Sequence, residues 1–217
     1  MTKRLEELYA LLGECEVFCD IGCDHGYITE AMLKGKKCKR AIASDISEKC
    51  LEKAKNLLRD FIKEGVCSCV VSDGFDNVLG CDLALIAGMG GEEIISILKR
   101  CKNLPKTVVL QPMKNAEKVR KSLQKLRYQI VTDYTFTDGG KFYDVIKAQK
   151  QKKIKKLNKK QLKFGLTNLE ILPPAFKDKL LDRKKIILNC LQENKLSKKT
   201  QKKMKKELKG LNEYVIS

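Results

Sequence analysis

The chain has 217 residues, of which 43% are hydrophobic and 33% are charged, and its formal net charge is +18. This length suits one ordinary domain with an appendage, and the hydrophobic fraction is sufficient for a real core. No apolar run approaches the roughly 20 residues that cross a bilayer, and no signal region follows the amino terminus. We therefore expect a cytoplasmic protein without a membrane partner.

The ten cysteines do not form a metal-binding pattern. Cys15, Cys19 and Cys23 recur every four residues, a spacing that is unusual for zinc, and no C-x-x-C pair occurs in the chain. Disulfides are not expected in a chain of this size without a secretion signal. We predict reduced cysteines that serve as small apolar residues, and no metal site.

Hydrophobic periodicity and turn residues predict alternating strands and helices in the first 150 residues. In chain order they are helix 2–12, strand 16–21, helix 27–34, strand 40–44, helix 47–63, strand 67–71, strand 83–87, helix 92–99, strand 107–110, helix 115–126, strand 129–136 and strand 142–147. Asp138-Gly139-Gly140 predicts a hairpin between the last two strands. This alternation with a closing antiparallel hairpin predicts an α/β fold around a seven-stranded mixed sheet.

Composition changes at Gln149. Residues 149–217 carry 21 Lys and Arg against 6 Asp and Glu, a net charge of +15, whereas the first 148 residues carry +3. Three apolar stripes at helical spacing follow, at 154–169, 176–191 and 204–211, with a break at Pro173-Pro174. The pattern predicts two domains, 1–150 and 151–217, of which the second is a basic helical hairpin or coiled coil.

The concentration of positive charge in the second predicted domain indicates the partner. A localised basic region is typical of proteins that bind nucleic acid, so RNA is the expected partner. A general lysine bias of the proteome is the alternative explanation. The sequence does not fix the oligomeric state, and we expect a monomer.

The first predicted strand runs into an acid-glycine turn, Asp20-Ile21-Gly22-Cys23-Asp24-His25-Gly26. Gly22 and Gly26 permit a close approach to a ligand that a Cβ would forbid. The dinucleotide fingerprint has a glycine where Asp24 stands, and two carboxylates would repel a pyrophosphate. Asp20 and Asp24 instead suit a cofactor that carries an ammonium and a sulfonium, which is S-adenosylmethionine.

Acids also follow the next two predicted strands. Asp45 is placed to accept hydrogen bonds from the ribose hydroxyls of the cofactor. Asp73, followed by Gly74, is placed beside the adenine, with Phe75 or Ile46 packing against the ring. A single acid after a strand is more often a turn or helix cap, but acids at successive strand ends favour a binding site.

The fourth predicted strand ends at Gly88-Met89-Gly90-Gly91, where glycines leave room for a flat ring and backbone groups can hold a base edge. A tight turn without a substrate role is the alternative. His25, the only histidine, is placed to contact the base or the cofactor's carboxylate, and Tyr27 is a candidate stacking platform. Local packing is the alternative for both residues.

Five motifs together resemble the bacterial tRNA adenine-N1 methyltransferase family called TrmK. They are Asp-Ile-Gly-Cys-Asp-His-Gly-Tyr-Ile at 20–28, Ala-Ser-Asp-Ile at 43–46, Ser-Asp-Gly-Phe at 72–75, Ala-Gly-Met-Gly-Gly at 87–91 and Leu-Gln-Pro-Met at 110–113. The resemblance covers the first predicted domain and continues more weakly into the second. It implies a Rossmann-like class I methyltransferase domain, S-adenosylmethionine as cofactor, a coiled-coil domain, and adenine 22 of tRNA as the methyl acceptor.

Methylation of adenine N1 asks little of side chains, because N1 has an in-plane lone pair and the sulfonium methyl is already activated. The enzyme must align nitrogen, methyl carbon and sulfur and hold the base out of its stack. The residues placed at the reacting end are Asp73, Gly88, Met89, His25 and Tyr27, with Asp73 or the Gly88 region stabilising the cationic product. A methyltransferase of small molecules or proteins, and a basic RNA-binding protein with an inactive methyltransferase-like domain, are the alternative functions.

Overall fold

A computed structural model describes residues 1–192 and 196–214 of the chain. The strands are β1 (Cys15–Ile21), β2 (Cys38–Asp45), β3 (Cys67–Val71), β4 (Leu83–Met89), β5 (Thr107–Pro112), β6 (Tyr128–Asp138) and β7 (Lys141–Lys150). The helices between them are α1 (Lys3–Leu11), α2 (Tyr27–Lys34), α3 (Glu48–Leu57), α4 (Arg59–Lys63), α5 (Gly91–Arg100) and α6 (Ala116–Lys125). The C-terminal helices are α7 (Lys159–Phe164), α8 (Leu166–Ile171), α9 (Pro174–Gln192) and α10 (Lys198–Leu211).

The strands form one mixed sheet in the order β3-β2-β1-β4-β5-β7-β6. The first five strands pair in parallel, and β7 is antiparallel to both β5 and β6. Side chains alternate along each strand, so Phe18 and Leu85 belong to one apolar cluster while Ile21 and Ile86 belong to the other. The predicted α/β class and the seven-stranded mixed sheet are confirmed.

Several predicted strands are one to four residues longer in the structure, and two of the differences from prediction have a clear local cause. The predicted helix 47–63 is divided at Leu58, which leaves the helical conformation (φ −94°, ψ 7°) although its side chain is fully buried. The apolar period continues across this break, so periodicity alone cannot reveal it. The predicted strand 83–87 extends to Met89, because a β-bulge with Gly88 at φ +79° carries the strand two residues further.

The predicted helical stripe at 154–169 is not one helix. Residues 151–158 are not helical, and Gly165, at φ +97°, separates α7 from α8. The other two stripes are confirmed, because Phe176, Leu180 and Ile187 of α9 are buried in one cluster with Leu211 of α10. The two helices are also joined by an ion pair between Arg183 Nε and Glu207 Oε1 at 3.0 Å.

A buried ion pair fastens the C-terminal helices to the sheet. Arg120 of α6 donates to Asp133 of β6 through Nε at 2.6 Å and Nη2 at 2.8 Å, and the two side chains are 2% and 0% exposed. The same guanidinium donates to the carbonyls of Leu162 and Lys163, and the Leu166 N–H donates to Asp133. The C-terminal helices therefore cover the pair and satisfy the polar groups that the sheet alone would leave exposed.

We predict that Asp133→Ala lowers the free energy of unfolding by about 3–5 kcal/mol, because it leaves the buried guanidinium of Arg120 without its counter-charge. Urea unfolding at pH 7 measures the change. Glu16→Ala is the control, since Glu16 pairs with Lys39 on the surface and is 66% exposed, and it should cost no more than about 1 kcal/mol. A loss for Asp133→Ala as small as that of the control would contradict the structural importance of the pair.

Candidate active site

A cavity of about 640 Å³ opens at the carboxyl ends of the parallel strands. Its walls come from the segments that follow β1, β2, β3 and β4, and from the first turns of α1. The sequence-predicted residues that line it are Asp20, Gly22, Asp24, His25, Tyr27, Asp45, Ile46, Asp73, Gly74, Gly88 and Met89. The strand ends thus bring together almost all of the residues that the sequence indicated separately.

Asp20 is the buried acid of the cavity. Its side chain is 5% exposed, and the Thr29 hydroxyl donates a hydrogen bond of 3.0 Å to its Oδ2. Burial raises the pKa of Asp20 to about 7, and the nearby carboxylate of Asp45 adds to this effect, while the Thr29 hydrogen bond opposes it. A cationic ligand group is the partner that such a carboxylate lacks.

Asp45 fixes the shape of the turn after β1. Its Oδ2 accepts a hydrogen bond from the Asp24 N–H at 3.2 Å, and its Oδ1 accepts one from the Ser47 N–H at 2.8 Å. Asp24 adopts a left-handed conformation with φ +50°. Each carboxylate oxygen can accept a second hydrogen bond, so Asp45 can still receive two donors from a ligand.

His25 and Tyr27 form an aromatic pair in the cavity wall. Their rings are parallel within 3°, with centroids 5.5 Å apart, and Tyr27 remains 48% exposed. His25 Nδ1 lies 2.9 Å from Asp24 Oδ2, and its Nε2 lies 3.4 Å from the Lys53 ammonium. Both ring nitrogens of His25 therefore already face charged groups of the protein.

Asp73 is held by Arg100 of α5. The guanidinium donates to both carboxylate oxygens at 2.8 and 2.9 Å, and this pairing lowers the pKa of Asp73. Ile46, which also lines the cavity, is 70% exposed. Phe75, by contrast, is 8% exposed, belongs to the apolar cluster that also contains Ile97, and does not line the cavity.

Gly26 lies in the turn before α2, outside the cavity wall. It is the N-cap of α2 at φ +77°, and a Cβ there would lie 3.1–3.2 Å from Leu58 and Ala54 of the next helical segment. It does not line the cavity. The turn and the close packing explain why position 26 is glycine. Gly22, in contrast, lines the cavity, and a side chain there would collide with the methyl end of Met89.

The sequence did not identify the contribution of α1 and β5. Thr2, Arg4, Leu5 and Leu8 line the cavity, and Gln111 of β5, fully buried, accepts a hydrogen bond of 2.8 Å from Arg4 Nε. The chain contains 45 Lys and Arg residues, so a basic residue on an amphipathic helix does not by itself indicate a binding role. The motif at 110–113 was visible, but its connection to α1 depends on the tertiary structure.

Within residues 1–192 and 196–214, no cluster of three His, Cys, Asp or Glu side chains could hold a metal ion. No helix in the same part of the chain is long and apolar enough to cross a membrane.

The proteins that this chain resembles in sequence are described as tRNA methyltransferases. The sequence model of the TrmK family, tRNA (adenine(22)-N(1))-methyltransferase, matches residues 18–214. A Mycoplasma pneumoniae protein is 34% identical over 158 residues, which cover 70% of this chain and 73% of the relative. The Bacillus subtilis tRNA (adenine(22)-N(1))-methyltransferase is 31% identical over 157 residues, 69% of this chain and 65% of that protein.

Solved structures match over the whole chain. The M. capricolum TrmK structure in complex with S-adenosylhomocysteine has a TM-score of 0.90 at 20% identity, covering 99% of this chain and 97% of that one. The B. subtilis M1A22 tRNA methyltransferase TrmK has a TM-score of 0.85 at 22% identity, covering 100% and 99%. These likenesses establish the fold, and the family match over residues 18–214 establishes the relationship. The chain is therefore a member of the TrmK family of tRNA (adenine(22)-N(1))-methyltransferases.

Proposed function

We propose that this chain transfers the methyl group of S-adenosylmethionine to N1 of adenine 22 in tRNA. The observation that carries the proposal is the acid-lined cavity at the carboxyl ends of the parallel strands, in a chain of the TrmK family. Ligands of open α/β sheets bind at this edge. A tRNA substrate also agrees with the expected cytoplasmic location.

Each acid has a ligand group that suits its position. Asp20, buried and without a cation partner among the residues described, would attract the ammonium of the cofactor, with Asp24 beside it. Asp45 would accept the two ribose hydroxyls with the lone pairs that the turn leaves free. Asp73, orientated by Arg100, would accept from the adenine amino group while Ile46 covers the ring.

The reacting end lies between the β4 terminus and the aromatic pair. The N1 lone pair of adenine attacks the methyl carbon, the carbon–sulfur bond breaks, and sulfur keeps the electron pair, so no proton has to be removed. His25 and Tyr27 would support the extruded base, and Gly88 and Met89 would leave room for its flat ring. The protein's contribution is then orientation, and the carboxylates of the cavity stabilise the positive charge that moves to the base.

We also propose that residues 151–217 form a separate RNA-binding domain in which α9 and α10 make a coiled-coil arm. Their shared apolar cluster and the Arg183–Glu207 pair support the helix pairing. The exposed face of α10 carries Lys202, Lys203, Lys205, Lys206 and Lys209. Lysines at this density neutralise phosphates without reading sequence.

The reaction is tested with unmodified tRNA transcripts and labelled S-adenosylmethionine, followed by nucleoside analysis. We expect 1-methyladenosine in a transcript that carries adenine 22, and none when adenine 22 is replaced by guanine. Methylation of the replaced transcript would reject the target position. Tight tRNA binding without any methyl transfer would favour the inactive RNA-binding alternative.

The second prediction is that cofactor affinity depends on pH, because the buried side chain of Asp20 titrates near neutrality. Only the carboxylate form of Asp20 attracts the ammonium, and its pKa is about 7, so affinity for S-adenosylmethionine should rise roughly tenfold between pH 6 and pH 7.5. Calorimetry across this range measures it. Asp20→Asn should bind weakly and without this pH dependence. Thr29→Val removes a hydrogen bond to the carboxylate and should move the midpoint to higher pH. A flat profile for the unmodified chain would remove Asp20 from the ligand's cationic end.

The third prediction concerns α10. Replacing its five exposed lysines, named above, with glutamine should weaken tRNA binding and flatten its salt dependence, because each phosphate contact adds about 0.7–0.9 to the log–log slope. The control replaces five exposed lysines near the opposite, amino-terminal edge of the sheet, Lys36, Lys39, Lys63, Lys102 and Lys106. Point substitutions are preferable to deleting the helices, since deletion would uncover the Arg120–Asp133 pair. Equal effects of the two sets would argue for non-specific attraction by net charge.

A further inference from the structure

The cavity has an unbalanced charge. Five carboxylate side chains line it, those of Asp20, Asp24, Asp45, Asp73 and Glu93. Within the described part of the chain, Arg4 is the only Lys or Arg side chain in its wall. This isolated cation comes from α1, the element to which the sequence assigned no role in the site.

Arg4 is fixed from several sides. Its backbone N–H donates to Asp138 Oδ2 at 3.1 Å, which positions the first turn of α1. Its Nε donates to Gln111 Oε1 at 2.8 Å, and Gln111 is fully buried. The guanidinium carbon lies 5.7 Å from the centre of the Tyr143 ring. The guanidinium is therefore held in one orientation before any ligand binds.

The end of this side chain lies against the carboxyl end of β4. A Cβ on Gly88 would lie only 2.8 Å from Arg4 Nη2, so the guanidinium sits directly against the backbone of Gly88. Nη1 and Nη2 have no hydrogen-bond partner among the described residues, and no carboxylate in that part of the chain lies within 4.0 Å of them. A guanidinium presents these donors in a planar fork that matches a carboxylate or a phosphate.

We propose that Arg4 binds the α-carboxylate of the cofactor, an inference that rests on the proposed function. The cofactor's amino-acid end carries an ammonium and a carboxylate on one carbon, so their partners must lie close together. Asp20 and Arg4 line the same cavity and belong to neighbouring strand ends, because β1 pairs with β4 and the Arg4 guanidinium lies against Gly88 of β4. Asp20 binds the ammonium on one strand end, and Arg4, resting on the other, binds the carboxylate.

The other candidate partners are less suitable. His25 was placed by sequence next to either the base or the carboxylate, but its Nδ1 faces the carboxylate of Asp24, which would repel a second anion. A phosphate of tRNA has the same oxyanion chemistry as the carboxylate. The exposed lysines of α10 offer that phosphate many partners, whereas the cofactor's carboxylate has only Arg4 in the cavity wall described by the structure.

The test compares two ligands by calorimetry, S-adenosylhomocysteine and its decarboxylated analogue S-adenosyl-3-thiopropylamine. We expect the unmodified chain to prefer S-adenosylhomocysteine by about 10- to 100-fold, and Arg4→Gln to lose this preference while binding the analogue normally. Lys3→Gln is the matched control, because Lys3 precedes Arg4 on the same helical turn, is exposed and does not line the cavity. It should keep the full preference.

Three results would overturn the proposal. Arg4→Gln could bind S-adenosylhomocysteine as tightly as the unmodified chain and raise only the KM for tRNA, which would assign Arg4 to a phosphate. His25→Ala, rather than Arg4→Gln, could abolish the preference. If Arg4→Gln does not fold, equal affinity of the unmodified chain for both ligands would reject the proposal by itself.

A chain that binds S-adenosylhomocysteine but methylates no tRNA would reject the proposed function and leave the Arg4 assignment standing.

Discussion

The strand order reverses at β1, and this reversal determines where the candidate active site lies. After β1 the chain moves outward through β2 to β3, and it then returns to the other side of β1 to form β4 and β5. The connections that leave β1 and β4 therefore diverge, and a crevice opens between them at the carboxyl edge of the sheet. Gly22 at the end of β1 and Met89 at the end of β4 are in contact across this crevice.

Hydrogen bonds from backbone donors hold the turn after β1. The N–H groups of Gly22 and Cys23 both donate to the Ser44 carbonyl, and the Asp24 N–H donates to Asp45. The end of β2 thus fixes the conformation of the turn that follows β1. A carboxylate held in this way loses little conformational entropy when a ligand binds, which is the advantage of a preorganised site.

The C-terminal helices depend on a different kind of interaction. Gly165 lies directly over the Arg120–Asp133 pair, where a Cβ would be 2.9 Å from Asp133 Oδ1 and 3.2 Å from Arg120 Nη2. The break between α7 and α8 therefore lies directly against a buried ion pair. The same region holds Asn168, whose amide contacts Thr135 of β6 and the Phe164 carbonyl. This polar junction joins α8 to β6.

The sequence by itself determined the α/β class, the seven strands and most of the residues that meet in the cavity. It could do so because period-two alternation, buried apolar runs and acid-glycine turns are local signals, and because parallel strands place their carboxyl ends at one edge. Asp20, Asp45 and Gly88 were found in this way. The resemblance to the TrmK family added the tRNA substrate, which no local pattern contains.

Only the tertiary structure decided which side chains turn toward the cavity and which turn toward the core. Phe75 follows Asp73 and Gly74 in a single motif, yet its side chain is buried in the apolar cluster that contains Ile97, whereas Asp73 and Gly74 line the cavity. Arg4 of α1 and Gln111 of β5, 107 residues apart in the chain, meet only in the folded structure. The periodicity of a segment likewise does not record the break at Leu58, whose side chain is buried in the core, or the break at Gly165, which lies over the Arg120–Asp133 pair. Local chemistry placed residues at the correct edge of the sheet, and long-range packing selected the ones that can reach a ligand.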